Sequence, residues 1–217
     1  MQVIGVAAQL ANGKDVLCDY LVQSLNKTDP GWQRAAFANA VKETFEMAFG
    51  VDRQFIEDWK RNPEPPPGYL KNIRQSLQFI GDGFRQIKGD IWIEIALRDE
   101  SKKLIISDSR YINEAKAVKA KGGVMVILYR PGFLNDDPNP SESQIRPVVE
   151  WCANNLKEGP IFYDLLRQAK GYHGSAVPDV IQFYDYFLVN DGSVQDLYDK
   201  VDRLLVPYIE EKYANGQ

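Results

Sequence analysis

Val3-Ile4-Gly5-Val6-Ala7-Ala8 is a short apolar run, and Gln9-Leu10-Ala11-Asn12-Gly13-Lys14-Asp15 follows it as a tight loop ending in Gly-Lys where a helical pattern begins. No other feature constrains the fold as much. It predicts a buried strand, a glycine-closed turn and a helix whose first amides point at one spot, the arrangement that binds phosphate. The usual pattern Gly-x-x-x-x-Gly-Lys-Ser/Thr is incomplete, because Ala8 stands at the first glycine and Asp15 at the metal-binding hydroxyl. Gly-Lys pairs are common by chance. Taken alone, the segment reads equally as an ordinary strand-to-helix turn with Lys14 a solvated residue of the first turn.

The rest of the chain supplies the context. Residues 2–7 alternate too little for a half-exposed strand and read as a central strand of a parallel sheet, while Leu17, Leu21, Val22 and Leu25 recur at helical spacing. Ala36, Phe37, Ala40, Val41, Phe45 and Ala48 hold the same period, which predicts a helix over Trp32–Phe49 closed by Gly50. Pro63, Pro65, Pro66 and Pro67 form a stiff connector between helices. Two more helices are predicted over 69–81 and 90–100, the second opening on Asp90, a good N-cap residue. Residues 103–108 read as a second buried strand ending in an acid. A helix over Asn113–Lys121, stopped by Gly122-Gly123, leads to the strongest strand, Val124–Tyr129, and this spacing predicts a crossover unit.

Between Pro131 and Asp179 the composition turns polar, with a loop over Asn135–Pro140 and helices at about 145–156 and 161–169. Such an insertion after a sheet strand is either a mobile lid or a surface excursion. Tyr186–Val189 and a helix to Leu205 add one more strand and helix. The expectation is one domain, 1–217, of three-layer α/β architecture with a mostly parallel sheet and four strands.

Composition narrows the function classes. The chain has 217 residues, 44% of them hydrophobic, enough to bury one large core. A net charge of −4 argues against a partner nucleic acid, while leaving room for a small anionic substrate held by locally concentrated arginines. Two cysteines, Cys18 and Cys152, and a single His173 suggest neither a disulfide framework nor a zinc site, and both cysteines read as small buried hydrophobes. With no leader pattern and no stretch long enough to cross a bilayer, a soluble, cytoplasmic protein with no membrane partner is expected.

In parallel α/β proteins ligands gather at the carboxyl ends of the strands. The second strand ends Asp108-Ser109-Arg110 and the third ends Arg130-Pro131, which would place an acid and two guanidinium groups beside the Gly13-Lys14 loop. Arg74 and Arg85 flank what reads as a glycine-broken turn at Gly81-Asp82-Gly83 and are candidates to clamp a second phosphate. Each of these could also be a surface charge or a strand-capping acid; their joint placement at successive strand ends favours a site.

Gly13-Lys14-Asp15, Arg74-Gln75 through Gly81-Asp82 and Arg85, Trp92, Asp108-Ser109-Arg110 with Asn113-Glu114, Arg130-Pro131 and the late Val189-Asn190-Asp191-Gly192 occur in one order along nearly the whole chain. In this respect the chain resembles the phage-type deoxynucleoside monophosphate kinases of the P-loop nucleoside monophosphate kinase group. In that family an aspartate after the lysine is usual.

The resemblance implies a three-layer P-loop NTPase fold with a nucleoside-monophosphate-binding helical region at about 32–100 and a lid-like insertion at about 132–179. It implies transfer of the γ-phosphoryl group of ATP, with Mg2+, to a (deoxy)nucleoside 5'-monophosphate. Lys14 would hold the β- and γ-phosphates in the cradle of Gln9, Leu10, Ala11, Asn12 and Gly13, and Asp108 with Asp15 would organise the metal. Arg74, Arg85, Arg110 and Trp92 would hold the acceptor, Arg130 or Arg146 of the lid would reach the transferring group, and Asn190 would approach the adenine. Catalysis would rest on Lys14, Asp108, Arg110 and Arg130, since phosphoryl transfer needs alignment and charge neutralisation more than a strong base. Relatives suggest a homodimer, and a phage-encoded protein would work in the host cytoplasm. Two positions depart from the family: Ala8 lacks the freedom of glycine, and Val16 replaces a common threonine. Other readings are another small-molecule P-loop kinase, acting on dephospho-coenzyme A or phosphomevalonate, and a catalytically inactive P-loop binding subunit.

Overall fold

A computed structural model of the chain describes residues 1–133, 140–168 and 177–215. The structure is mixed α/β, built on a six-stranded sheet in the order β2-β3-β1-β4-β6-β5. Strands β1 (Gln2–Ala8), β2 (Trp32–Ala35), β3 (Lys103–Ser109), β4 (Val124–Tyr129) and β6 (Tyr186–Val189) run parallel, and the two-residue β5 (Gly159–Pro160) lies antiparallel on β6. The continuous apolar runs of β1, β3 and β4 follow from burial on both faces of the sheet. One face carries Ile4, Val6 and Ala8 against Leu17, Cys18, Leu21 and Leu25 of α1 (Lys14–Thr28) and against Leu205, Val206 and Ile209 near the carboxyl terminus. The other face packs on α6 (Ile112–Ala120) and α7 (Pro140–Asn155). There Gly5 is required by close approach, because a Cβ would sit 2.2 Å from the Met125 sulfur. This is the expected three-layer, mostly parallel α/β architecture, with six strands where four were expected.

Several boundaries differ from expectation. Trp32–Ala35 is an edge strand, and the helix α2 starts only at Ala38 and runs to Phe49. Backbone pairing with β3 and burial of Trp32 in the main core outweigh the helical period there. Gly50 closes α2 as expected, at φ 65° with its N–H on Glu46 O. A short helix α3 (Arg53–Trp59), capped by Asp52, precedes the proline-rich connector. Helix α4 (Ile73–Ile87) begins after Asn72, whose side chain accepts from Gln75 N, and continues unbroken through Gly81 and Gly83. Arg74 and Arg85 therefore share one helix and flank no turn. Helix α5 (Ile91–Ala96) is shorter than expected, and α7 begins at Pro140. Helix α8 spans Tyr163–Gln168. The carboxyl-terminal helix is longer than expected: α9 (Val194–Lys200), a π turn at Val201–Leu205 and α10 (Val206–Asn215) follow one another without a break. The expected loop at 135–139 and the residues 169–176, with His173, lie outside the described residues.

The chain forms two compact units. One comprises Met1–Ala35 and Glu100–Gln217 and holds the whole sheet. The other, Ala36–Asp99, is an insertion between β2 and β3 with its own core, in which Leu77 and Ile80 of α4 join the Ala40–Val41–Trp92 cluster to the Phe45–Ile56–Ile73 cluster. Among the described residues no helix is long and apolar enough to cross a membrane.

Candidate functional site

Strand β1 ends at Ala8, still in register with Leu128 of β4, and the chain then turns through 9–13 into α1. Ala8 keeps a strand conformation and has no need of glycine's freedom; the left-handed residues of the loop are Ala11 at φ 64° and Gly13 at φ 89°. Gly13 is the N-cap of α1 and has no side chain to give the first-turn amides, so they face outward with the positive end of the helix dipole. That is an anion-binding geometry.

Asn12 ties the loop to two other strand ends. It is fully buried; its Oδ1 accepts from Arg130 N at 2.6 Å, its Nδ2 donates to Leu10 O at 3.1 Å, and its own carbonyl accepts from Asn190 Nδ2 at 2.9 Å. Asn190 N in turn donates to Tyr129 O at 2.7 Å. The loop after β1, the segment after β4 and the segment after β6 are thus one hydrogen-bonded assembly. A Cβ on Gly13 would lie 2.6 Å from Asn190 Nδ2, so glycine is needed there on steric as well as conformational grounds. The sequence marks Asn12 only as part of the cradle and does not reveal this brace, which joins residues 118 and 178 positions apart.

Beside this assembly lies a cleft of about 300 Å³ lined by Gly13, Val16, Arg130, Asn190, Val194 and Leu197, among others. Val16 serves as apolar wall, as do Val194 and Leu197. The Arg130 guanidinium lies over the Phe133 ring, 3.9 Å from its centre. Lys200 secures the late segment, donating to Val189 O and to Asp191, both at 2.7 Å, while pairing with Glu158 at 3.2 Å.

On the far side of β1 stands β3, with Ala7 opposite Ser109, so Asp108 and Arg110 occupy the strand end next to the loop. Buried Glu114 fixes the following turn by accepting from Arg110 N at 2.7 Å and Tyr111 N at 3.0 Å. Lys14, Asp108, Arg110, Arg130 and Asn190 are all brought to one carboxyl edge of one sheet, as the order β3-β1-β4-β6 requires.

The loop lysine is largely covered and its Nζ donates to Asp15 Oδ1 at 2.9 Å. Arg34 of β2 also holds that carboxylate and donates to Asp19 at 2.8 Å. Burial alone would raise the Asp15 carboxyl, but the hydrogen bond and charge of Lys14, with the charge of Arg34, outweigh it and hold it below the usual carboxylate value. The sequence does not single out Arg34. It falls inside the helix predicted over Trp32–Phe49, and the edge strand that carries it is visible only in the structure.

Gln9 is buried, and among the described residues neither polar atom of its amide has a partner. Arg74, Arg85 and Trp92 belong to the inserted unit. Arg85 pairs with Asp82 at 3.2 Å, and the Trp92 indole, 2% exposed, donates to Gly81 O at 2.9 Å within that unit's core. The Trp92 ring packs in one hydrophobic cluster with Ala40 and Val41. Arg146 lies on α7, between the buried Ile145 and Val148 and half-buried itself. Cys18 and Cys152 are free and buried, as expected. The described residues contain no cluster of three carboxylate, histidine or cysteine side chains able to hold a metal.

No family model matches the chain. A curated protein of Acanthamoeba polyphaga mimivirus, named "Putative deoxynucleotide monophosphate kinase", is 26% identical over 170 residues, covering 70% of this chain and 86% of that protein. Among solved structures, shikimate kinase from Acinetobacter baumannii in complex with shikimate superposes at a TM-score of 0.45 with 14% identity, over 95% of this chain and 93% of that one. An unliganded sugar kinase from Janibacter superposes at 0.35 with 12% identity, over 96% and 98% of the two chains. Superpositions this distant do not bear on the acceptor.

Proposed function

We propose that this chain is an ATP-dependent phosphotransferase whose acceptor is a (deoxy)nucleoside 5'-monophosphate, converted to the diphosphate. The observation that carries the reading is the meeting of an open helix N-terminus, Lys14, Asp108, Arg110 and Arg130 at one sheet edge. The similarity to the mimivirus protein, named as a deoxynucleotide monophosphate kinase, supports the same chemistry.

On this reading the amides of 9–13 and Lys14 neutralise the donor's terminal phosphates, and the cleft walled by Val16, Val194 and Leu197 receives its base beside Arg130. Asp108 would hold magnesium, which when bound supplies charge neutralisation to the donor phosphates. Asp108 at the β3 end suits it, since Mg2+ is commonly held by one or two carboxylates plus substrate oxygens and needs no three-residue protein cage. Asp15, already shared by two cations, is the weaker candidate. Arg110 grips the acceptor phosphate, with Arg146 of α7 as a further cation. Transfer then results from alignment and charge neutralisation, with no protein nucleophile required.

The test is an ADP-release assay with ATP and a panel of ribo- and deoxynucleoside monophosphates. Turnover stimulated by at least one monophosphate is expected. Stimulation by none of them, with turnover on another phosphorylated metabolite, would move the assignment to a different acceptor, and absence of ATP binding would leave a non-catalytic binding role.

A further inference from the structure

We infer that Arg34 is a positioning residue for Lys14, acting through Asp15; this rests on the reading of 9–14 as a polyphosphate site. Asp15 is the immediate neighbour of the loop lysine and holds its ammonium at 2.9 Å, in the place from which Lys14 must turn to meet a polyphosphate. A carboxylate there opposes the site twice. It competes for Lys14, and its charge repels the incoming anion. Asp19, one helical turn on, adds a second negative charge to the same face.

Arg34 answers both. Its two terminal nitrogens reach separately to Asp15 and Asp19, from an edge strand whose backbone is fixed by pairing Arg34 with Ile105 of β3. Lys14 and Arg34 together balance Asp15 and Asp19. When Lys14 leaves for a phosphate, Asp15 keeps a partner and is not left an unpaired anion beside the ligand. Without Arg34, Lys14 becomes the sole cation on Asp15, and the face beside the phosphate loop carries one uncompensated negative charge.

Binding of inorganic tripolyphosphate and of the ATP analogue AMP-PNP to the full chain, by calorimetry at low salt, tests this. Arg34→Ala and Arg34→Gln are expected to weaken both about threefold to tenfold, a difference that shrinks as salt rises. Arg34→Lys, whose single ammonium cannot fork between Asp15 and Asp19, is expected to fall between Arg34→Ala and wild type, and adding Asp15→Asn to Arg34→Ala to restore affinity to within about twofold. Thermal melts identify any variant that fails to fold, and Arg34→Gln retains the side chain's bulk against that outcome. Unchanged affinity in Arg34→Ala and Arg34→Gln would overturn the inference. So would a double variant as weak as Arg34→Ala alone, which would make Arg34 a direct phosphate ligand. Wild-type protein that binds neither probe would remove the phosphate-site reading itself, and this inference with it.

Discussion

Asn190 donates from Nδ2 to the carbonyl oxygen of Asn12 at 2.9 Å, across the gap that only a glycine at position 13 leaves open. This contact, with Asn12 accepting from Arg130 N at 2.6 Å, sets the shape of the loop at 9–13.

Gly13→Ala places a methyl group against Asn190 and forces a Cβ residue into the left-handed region. The conformational cost alone is about 1–2 kcal/mol. A fall in Tm of about 2–8 °C is expected by scanning calorimetry, together with weaker nucleotide binding, because Asn190 must move from Asn12.

Lys14→Ala removes a charge that is paired with the exposed Asp15 carboxylate and not placed in the core. Turnover is expected to fall by roughly 10²–10³, the loss usual for one transition-state donor, while Tm changes little. Turnover at wild-type levels in purified Lys14→Ala protein would show that the loop does not hold the donor.

Gln9→Leu addresses the buried amide with no partner. Because an unsatisfied buried polar group costs about 1–3 kcal/mol, the variant is expected to be more resistant to urea, with a higher midpoint at unchanged slope. A lower midpoint would mean that bound water satisfies Gln9.

Glu57, in the inserted unit, is held down to about 2 by hydrogen bonds from Lys42 and Lys60, against a small opposing effect of burial. Its folded value lies below its unfolded one, so its contribution is complete above the unfolded value near 4.5 and is lost as pH falls through about 2. Solvent screening limits that contribution to about 0.5–1 kcal/mol. Glu57→Gln is therefore expected to lower Tm slightly at neutral pH, and the difference from wild type should vanish as the buffer approaches pH 2.

Much was legible in the chain itself. Apolar runs too continuous for a one-sided sheet marked β1, β3 and β4, and a run of apolar residues at helical spacing after Lys14 marked α1, because burial on two faces or on one stripe leaves a local pattern. Strand ends then located Asp108, Arg110 and Arg130 near the loop. What the chain could not display were relations between distant residues. Trp32–Ala35 became a strand because β3 offered a backbone partner, and Arg74 and Arg85 came to share one helix because α4 runs unbroken past Gly81, which lies against Val41 of α2. Arg34 on Asp15, and Asn12 bridging Arg130 and Asn190, depend on the spatial order of the strands. Local periodicity records which side of an element is buried; it holds no record of what lies across from it, and that pairing, set by the sheet order, gave the loop at 9–13 its shape and Lys14 its surroundings.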